Sequence, residues 1–187
     1  MLGQDSLKQR IRQGEIVIGV SVPLDTDRGG MENILSQDSY DFITLDSQHT
    51  PYNEEKLVNY CNLAEVLGMP VQFRIKNTRN AYLIGNVLDL GPAAIEVPLV
   101  EDESVVDEAV SNFYYPQIGK RSWGGAVRYG VKGRDDRLQY ADWWNNNGIL
   151  CLQIETLRAV TNARQLGKAG VDCFTWGPAD LSFDLEA

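Results

Sequence analysis

The feature that most limits what this chain can fold into is a regular alternation. Six short apolar runs, at 16–22, 42–46, 70–75, 94–100, 148–155 and 171–177, are separated by stretches whose apolar residues recur at helical spacing. Strands that alternate with helices imply a parallel sheet with helices packed outside it. The first run, Ile-Val-Ile-Gly-Val-Ser-Val, shows no apolar/polar alternation and predicts a strand buried on both faces. Before it, Asp5 or Ser6 can cap a helix that carries Leu7 and Ile11 and stops at Gly14. After it, Arg28-Gly-Gly30 reads as a loop leading to a short helix with Met31, Ile34 and Leu35. Asn53 caps a helix with Leu57, Cys61 and Ala64 inward and Gly68 as its stop. Further helices are predicted over 80–90, around Val106 and Phe113, over 135–146, and from Leu157 to a stop at Gly170. The Gly- and Arg-rich stretch 116–134 has no clean period and reads as a long loop. Beyond the sixth run, Pro178 to Ser182 turns away from the sheet.

The choice lies between a doubly wound sheet and a (β/α)₈ barrel. No Gly-rich phosphate fingerprint follows the first run, which disfavours the dinucleotide-binding version. Six units in 187 residues is about 31 residues per unit, so eight would need roughly the 250 of a TIM barrel. The expectation is one (β/α)₈ barrel domain over 1–187, cut off after about the sixth βα unit, with its C-terminal part missing and two apolar edges open.

Composition narrows the function. A formal charge of −9 disfavours nucleic acid as a partner, because phosphate binding relies on Lys and Arg. No run of eighteen apolar residues is present, so no membrane span is expected, and the polar N-terminus lacks a signal-peptide core. The three cysteines have no metal-binding spacing. Cys151 and Cys173, inside apolar runs, read as small core hydrophobes of a reduced, cytoplasmic protein.

Chemistry-bearing residues gather where the runs end. The second run ends at Asp46 and is followed by His49, the single histidine of the chain; the third ends near Arg74, the fifth at Gln153 and Glu155, and the sixth at Gly177, Pro178 and Asp180. In α/β barrels the carboxyl ends of the strands converge on one mouth, where active sites lie. Glu155 and Asp180, from neighbouring strand ends, can share Mg²⁺ or Mn²⁺, or can simply start helices. Arg74 offers a fork for a substrate carboxylate or for a structural ion pair. Gly177-Pro178 leaves the N–H groups of Ala179 and Asp180 free for an anion. The four tryptophans read as core or interface bulk.

Several stretches taken together resemble the HpcH/HpaI aldolase family. They are Leu45-Asp-Ser-Gln-His-Thr-Pro51, Phe73-Arg74, Leu88-Asp-Leu-Gly91, Tyr115-Pro116 with Gly119-Lys-Arg-Ser-Trp-Gly124, Gln153-Ile-Glu-Thr156, and Gly170-Val-Asp172 with Gly177-Pro-Ala-Asp-Leu-Ser182. The resemblance implies a barrel whose Mg²⁺, Mn²⁺ or Co²⁺ chelates pyruvate. It implies Glu155 and Asp180 as metal ligands, with Arg74 and Gln153 holding the substrate oxygens beside the Gly177–Asp180 turn. His49 would transfer protons near Asp46, and Asp89 would associate with such a histidine. Asp89 closes a helix, however, so it could reach a histidine only from a neighbouring subunit. Gln48 stands where the family commonly has Glu. The implied reaction is metal-dependent cleavage of a 4-hydroxy-2-oxo acid into pyruvate and an aldehyde by a homo-oligomer, a hexamer in the full-length family pattern. The rival expectations are an acyl-CoA lyase of the citrate lyase/malyl-CoA lyase branch and an inactive barrel that serves as a binding or assembly subunit.

Overall fold

The computed structural model of the chain describes residues 6–187. Six parallel strands pair in chain order into one curled, open sheet: β1 (Gly19–Ser21), β2 (Phe42–Asp46), β3 (Val71–Arg74), β4 (Ala94–Val97), β5 (Ile149–Ile154) and β6 (Cys173–Trp176). Eight helices accompany them: α1 (Leu7–Arg12), α2 (Arg28–Leu35), α3 (Glu54–Val66), α4 (Ile84–Leu88), α5 (Glu103–Phe113), α6 (Arg137–Asn147), α7 (Leu157–Leu166) and α8 (Pro178–Glu186). This is the (β/α)₈ barrel pattern over six of its units, and the sheet is one body with one principal core.

Caps account for several helix starts. Ser6 accepts from the N–H of Gln9 while the Gln9 side chain accepts from the N–H of Ser6, a reciprocal capping box. Asp5, the other candidate cap, lies outside the described residues. Asn53, Asp136 and Thr156 cap α3, α6 and α7. The outer face of the sheet is covered by Leu57, Ala64, Leu88, Val106 and Phe113, all essentially buried.

Five expectations need correction. β1 is an edge strand, not one buried on both faces, and Ile16 ahead of it is 86% exposed. An apolar run reports burial only where neighbours exist on both sides, and among the described residues β1 pairs with β2 alone. Arg28-Gly-Gly30 is the first turn of α2, because the Asp27 carboxylate caps the N–H of Gly30. The 80–90 helix is instead a 3₁₀ segment, Thr78–Leu83, running into the short α4. The helix after β5 ends at Leu166 with Gly167 as its C-cap, three residues short of the expected stop at Gly170. Beyond β6, Pro178 opens α8: its fixed φ suits the first helical position, where a missing N–H costs nothing.

The amino end of the barrel is closed by α1. Leu7 and Ile11 pack on Ala94, Ile149 and Cys151 at the strand starts. Lys8 enters with them and is buried, where its Nζ donates to Tyr114 Oη at 2.9 Å and to the Gly148 carbonyl at 2.7 Å and meets Asp172 at 3.2 Å. Asp172, whose side chain is fully buried, also accepts from the Leu150 N–H at 2.9 Å and from Arg12 at 2.8 Å. Burial holds the Lys8 ammonium below its ordinary range, and Asp172 only partly restores it. Removing one partner of such a pair strands a buried charge. Asp172→Ala is therefore expected to lower unfolding free energy by about 3–5 kcal/mol, measured by urea denaturation. Arg12→Ala, at a half-exposed partner, should cost no more than about 1 kcal/mol.

Candidate active site

The carboxyl ends of β2, β3, β5 and β6 bring together Asp46, Arg74, Gln153, Glu155 and the start of α8. Arg74 engages Asp46 side-on, Nε to Oδ1 at 2.8 Å and Nη2 to Oδ2 at 2.6 Å. The remaining nitrogen, Nη1, donates to Gln153 Oε1 at 3.1 Å. The Gln48 N–H also donates to Asp46 Oδ1 at 2.8 Å, which turns the chain after β2. The register sets this pairing: Asp46 and Arg74 are partners across β2 and β3. Burial works against ionisation of Asp46, but the Arg74 hydrogen bonds and charge, the Gln48 N–H and nearby His49 outweigh it and hold the carboxyl below its ordinary range. Asp46 keeps Arg74 firmly charged in turn, with Glu96 and Glu155 adding to the effect.

Glu155 is 1% exposed, immediately past β5. Its Oε1 accepts the N–H of Leu99 at 2.7 Å, whereas its Oε2 is buried with no hydrogen-bond partner. Leu99 reaches it from the end of β4 with φ +49°, a left-handed conformation uncommon for leucine. A Cβ placed on Gly177 would lie 2.3 Å from Glu155 Oε2, so the carboxylate occupies space that only a glycine leaves open. Burial raises the pKa of Glu155; the Leu99 N–H lowers it, and the facing Asp180 carboxyl raises it further. Asp180 itself is exposed in the first turn of α8.

A buried carboxylate oxygen with no proton donor, opposite a second carboxylate, is what a divalent cation would satisfy. The donor set therefore fits a hard cation. Thr156, rather than Glu155, caps α7, which removes the helix-starting explanation for Glu155. Among the described residues no group of three or more carboxylates, histidines or thiols gathers, so a cation here would keep positions for water and substrate oxygens.

The structure unites Asp46, Arg74, Gln153, Glu155, Gly177 and Asp180. Pro178 and Ala179 stand exposed beside them, and His49 lies exposed in the loop after β2. Asp89 is not among them. It caps the C-terminus of α4, which returns the chain to the amino end of β4, and it pairs with Arg121 at 2.9 Å. That arginine is held between the rings of Tyr115 and Trp144, each 4.7 Å away, so Asp89 anchors the Gly-rich loop in this chain. Two contributors escaped the sequence reading. Leu99 acts through its N–H, which carries no side-chain signal. Glu96 lies inside the barrel, taking Gln72 Nε2 at 2.6 Å and Thr175 Oγ1 at 2.7 Å; its place in an apolar run on β4 was the available signal.

Comparison with known proteins gives the family. The model for "HpcH/HpaI aldolase/citrate lyase" matches residues 24–187. The chain belongs to the HpcH/HpaI aldolase/citrate lyase family. It is 30% identical over 181 residues to 2-keto-3-deoxy-L-rhamnonate aldolase of Escherichia coli K12, covering 95% of this chain and 66% of that protein. The chain thus spans slightly less than two thirds of the length of the curated relatives it matches. Among solved structures, an HpcH/HpaI aldolase from Desulfitobacterium hafniense DCB-2 superposes with TM-score 0.85 at 25% identity, over 97% of this chain and 69% of that one. The citrate synthase SbnG superposes with TM-score 0.81 at 27% identity, over the same shares of the two chains. Among the described residues no helix is long and apolar enough to cross a membrane.

The two carboxylates of this HpcH/HpaI site give opposite pH signatures. Glu155 binds its proton more tightly in the folded chain, so its contribution is present below the ordinary value of 4.5 and is lost as pH rises through its raised folded pKa. Asp46 contributes above its ordinary 3.8 and loses that contribution as pH falls through its lowered folded pKa. Urea midpoints should therefore decline as pH rises above 4.5, and Glu155→Gln should remove that decline while leaving the loss on acidification. An unchanged pH slope in the variant would contradict the assignment.

Proposed function

We propose that the chain carries the substrate- and cation-binding part of a class II pyruvate aldolase, which reversibly cleaves a 4-hydroxy-2-oxo acid into pyruvate and an aldehyde. The observation that carries this reading is the buried, partnerless Oε2 of Glu155, which faces Asp180 beside the Arg74 guanidinium. Glu155 and Asp180 are the residues that would hold Mg²⁺, Mn²⁺ or Co²⁺. A bound cation supplies Lewis-acid polarisation of the 2-oxo acid, so that no Schiff-base lysine is required.

The chain's own groups divide the remaining work. Arg74, its plane fixed by the two bonds to Asp46, presents charge where the keto oxygen becomes negative as the C3–C4 bond breaks. Gln153, held by Arg74 Nη1, positions the same end of the substrate. The first-turn N–H groups of α8, at Ala179 and Asp180, have no intrahelical acceptor and offer donors to the substrate carboxylate. His49 takes the proton from the 4-hydroxyl on cleavage and returns it in the synthetic direction; its exposed position lets it exchange that proton with solvent. The aldolase relative supports this reaction class, and the barrel relationship to a citrate synthase is in keeping with carbon–carbon bond chemistry. The family description also names citrate lyase, which supports the acyl-CoA lyase branch as a second reading.

Titration calorimetry with Mn²⁺ tests the site without depending on turnover. Glu155→Gln and Asp180→Asn should each weaken binding by about 100-fold or more. Arg74→Lys should leave Mn²⁺ affinity within a few-fold but lower kcat for pyruvate release by about 10²–10³. A panel of 4-hydroxy-2-oxo acids and 3-hydroxyacyl thioesters separates the two readings. Full-rate pyruvate release in the presence of EDTA would overturn the proposed chemistry.

A further inference from the structure

Two thiols that the proposed reaction does not use lie against each other inside the barrel. Cys151 on β5 and Cys173 on β6 are direct register partners, and their Sγ atoms are 2.7 Å apart, well inside ordinary contact of two sulfurs. Both are free cysteines. Partners on adjacent parallel strands lie about 4.8 Å apart, within the roughly 4.4–6.8 Å that a disulfide spans between its Cα atoms. The backbone thus already stands at bonding distance and the sulfurs already face each other. The third cysteine, Cys61, is buried on α3, packed against Gly91 and away from the pair.

Access comes from a cavity of ≈180 Å³ at the amino end of the barrel, lined by both thiols together with Leu7, Ile11, Gln72 and Thr175. One water needs only about 10–15 Å³ of such space, so a molecule the size of hydrogen peroxide has ample room. Cys173 is the more accessible of the two thiols, while Cys151 is 2% exposed. We infer that Cys151 and Cys173 form an oxidation site, closing a reversible β5–β6 disulfide when a small peroxide enters this cavity.

The chemistry balances with hydrogen peroxide as the oxidant. Cys173 sulfur attacks one peroxide oxygen, the O–O bond breaks, and a sulfenic acid and one water result. Cys151 sulfur then displaces the hydroxyl from that sulfenic sulfur; the S–S bond forms, and the hydroxyl leaves with the Cys151 proton as a second water. Two thiols lose two electrons and two protons, and the peroxide is reduced to two waters. The bridge would fall two residues before Gln153 on β5 and two before Thr175 on β6. It would tie together the strand pair whose far ends carry Glu155 and Gly177. The inference is independent of the reaction assigned to that site.

The test is thiol counting on the whole chain. Reduced protein is treated with hydrogen peroxide, quenched with catalase, denatured, alkylated with iodoacetamide and weighed. Untreated protein should take three labels, one for each cysteine, and oxidised protein only one, on Cys61. Peptide mapping should find Cys151 joined to Cys173, and dithiothreitol should restore all three labels. Cys173→Ser should leave Cys151 alkylatable after the same treatment. If that variant does not fold, Cys61→Ala keeps the pair intact and should take no label once oxidised. Three labels after peroxide, or a sulfinic acid on Cys173 without the cross-link, would overturn the inference. So would cross-linking in urea at a rate equal to that of the folded chain, because proximity in the fold would then play no part.

Discussion

The buried Asp172 carboxylate is the tie on which the rest of the barrel depends. It stands just ahead of β6 and receives the Leu150 N–H of β5, the ammonium of Lys8 and the guanidinium of Arg12. Tyr114, past the end of α5, donates its hydroxyl to the neighbouring Gly170 carbonyl and accepts from Lys8. One carboxylate thereby joins the entry helix, two strand starts and the wall beyond α5. The clamp fixes the spacing of β5 and β6 at their amino ends, and the paired strands run on from it to their carboxyl ends.

At that other end the same strand pair presents its functional groups. β5 delivers Gln153 and Glu155, and β6 delivers Gly177 and the first turn of α8. The two ends differ in how completely their charges are satisfied. At the closed end Asp172 has partners for both oxygens. At the open end Glu155 has one oxygen served by Leu99 and the other by nothing. A buried polar atom without a partner costs free energy, and the chain tolerates that cost beside a strained Leu99, where the candidate site lies.

Much of this was legible in the sequence because it depends on local pattern. Phe42 to Asp46 reads as a strand and is one, and Asp46, Arg74, Gln153 and Glu155 fall at or beside strand ends where periodicity puts them. What stayed hidden depends on distant segments. Ile16 and Ile18 look like core residues, but their exposure depends on which segments stand beside β1, and among the described residues only β2 pairs with it. Lys8 looks like a surface residue of a short helix, and only the fold brings Asp172 and Tyr114 to its Nζ. Asp89 was legible as a helix end away from the site, but only the fold brings its partner, Arg121 of the Gly-rich loop, to it. The Leu99 N–H has no side-chain signature at all.

Gly177 has a consequence for anyone who alters this chain. Its backbone, at φ −105° and ψ 78°, is open to residues with a side chain, so nothing in its conformation demands glycine. Replacing such a glycine by alanine ordinarily stabilises a protein by about 0.4–1 kcal/mol, by restricting the unfolded chain. Here the added methyl would displace the Glu155 carboxylate. It would also lie 2.5 Å from Glu155 Cβ, which cannot swing aside as the carboxylate can, so the usual gain is opposed by a clash inside the candidate site. Gly177 is best treated as a vacant volume that Glu155 fills, invisible to any criterion that weighs only the residues that are there.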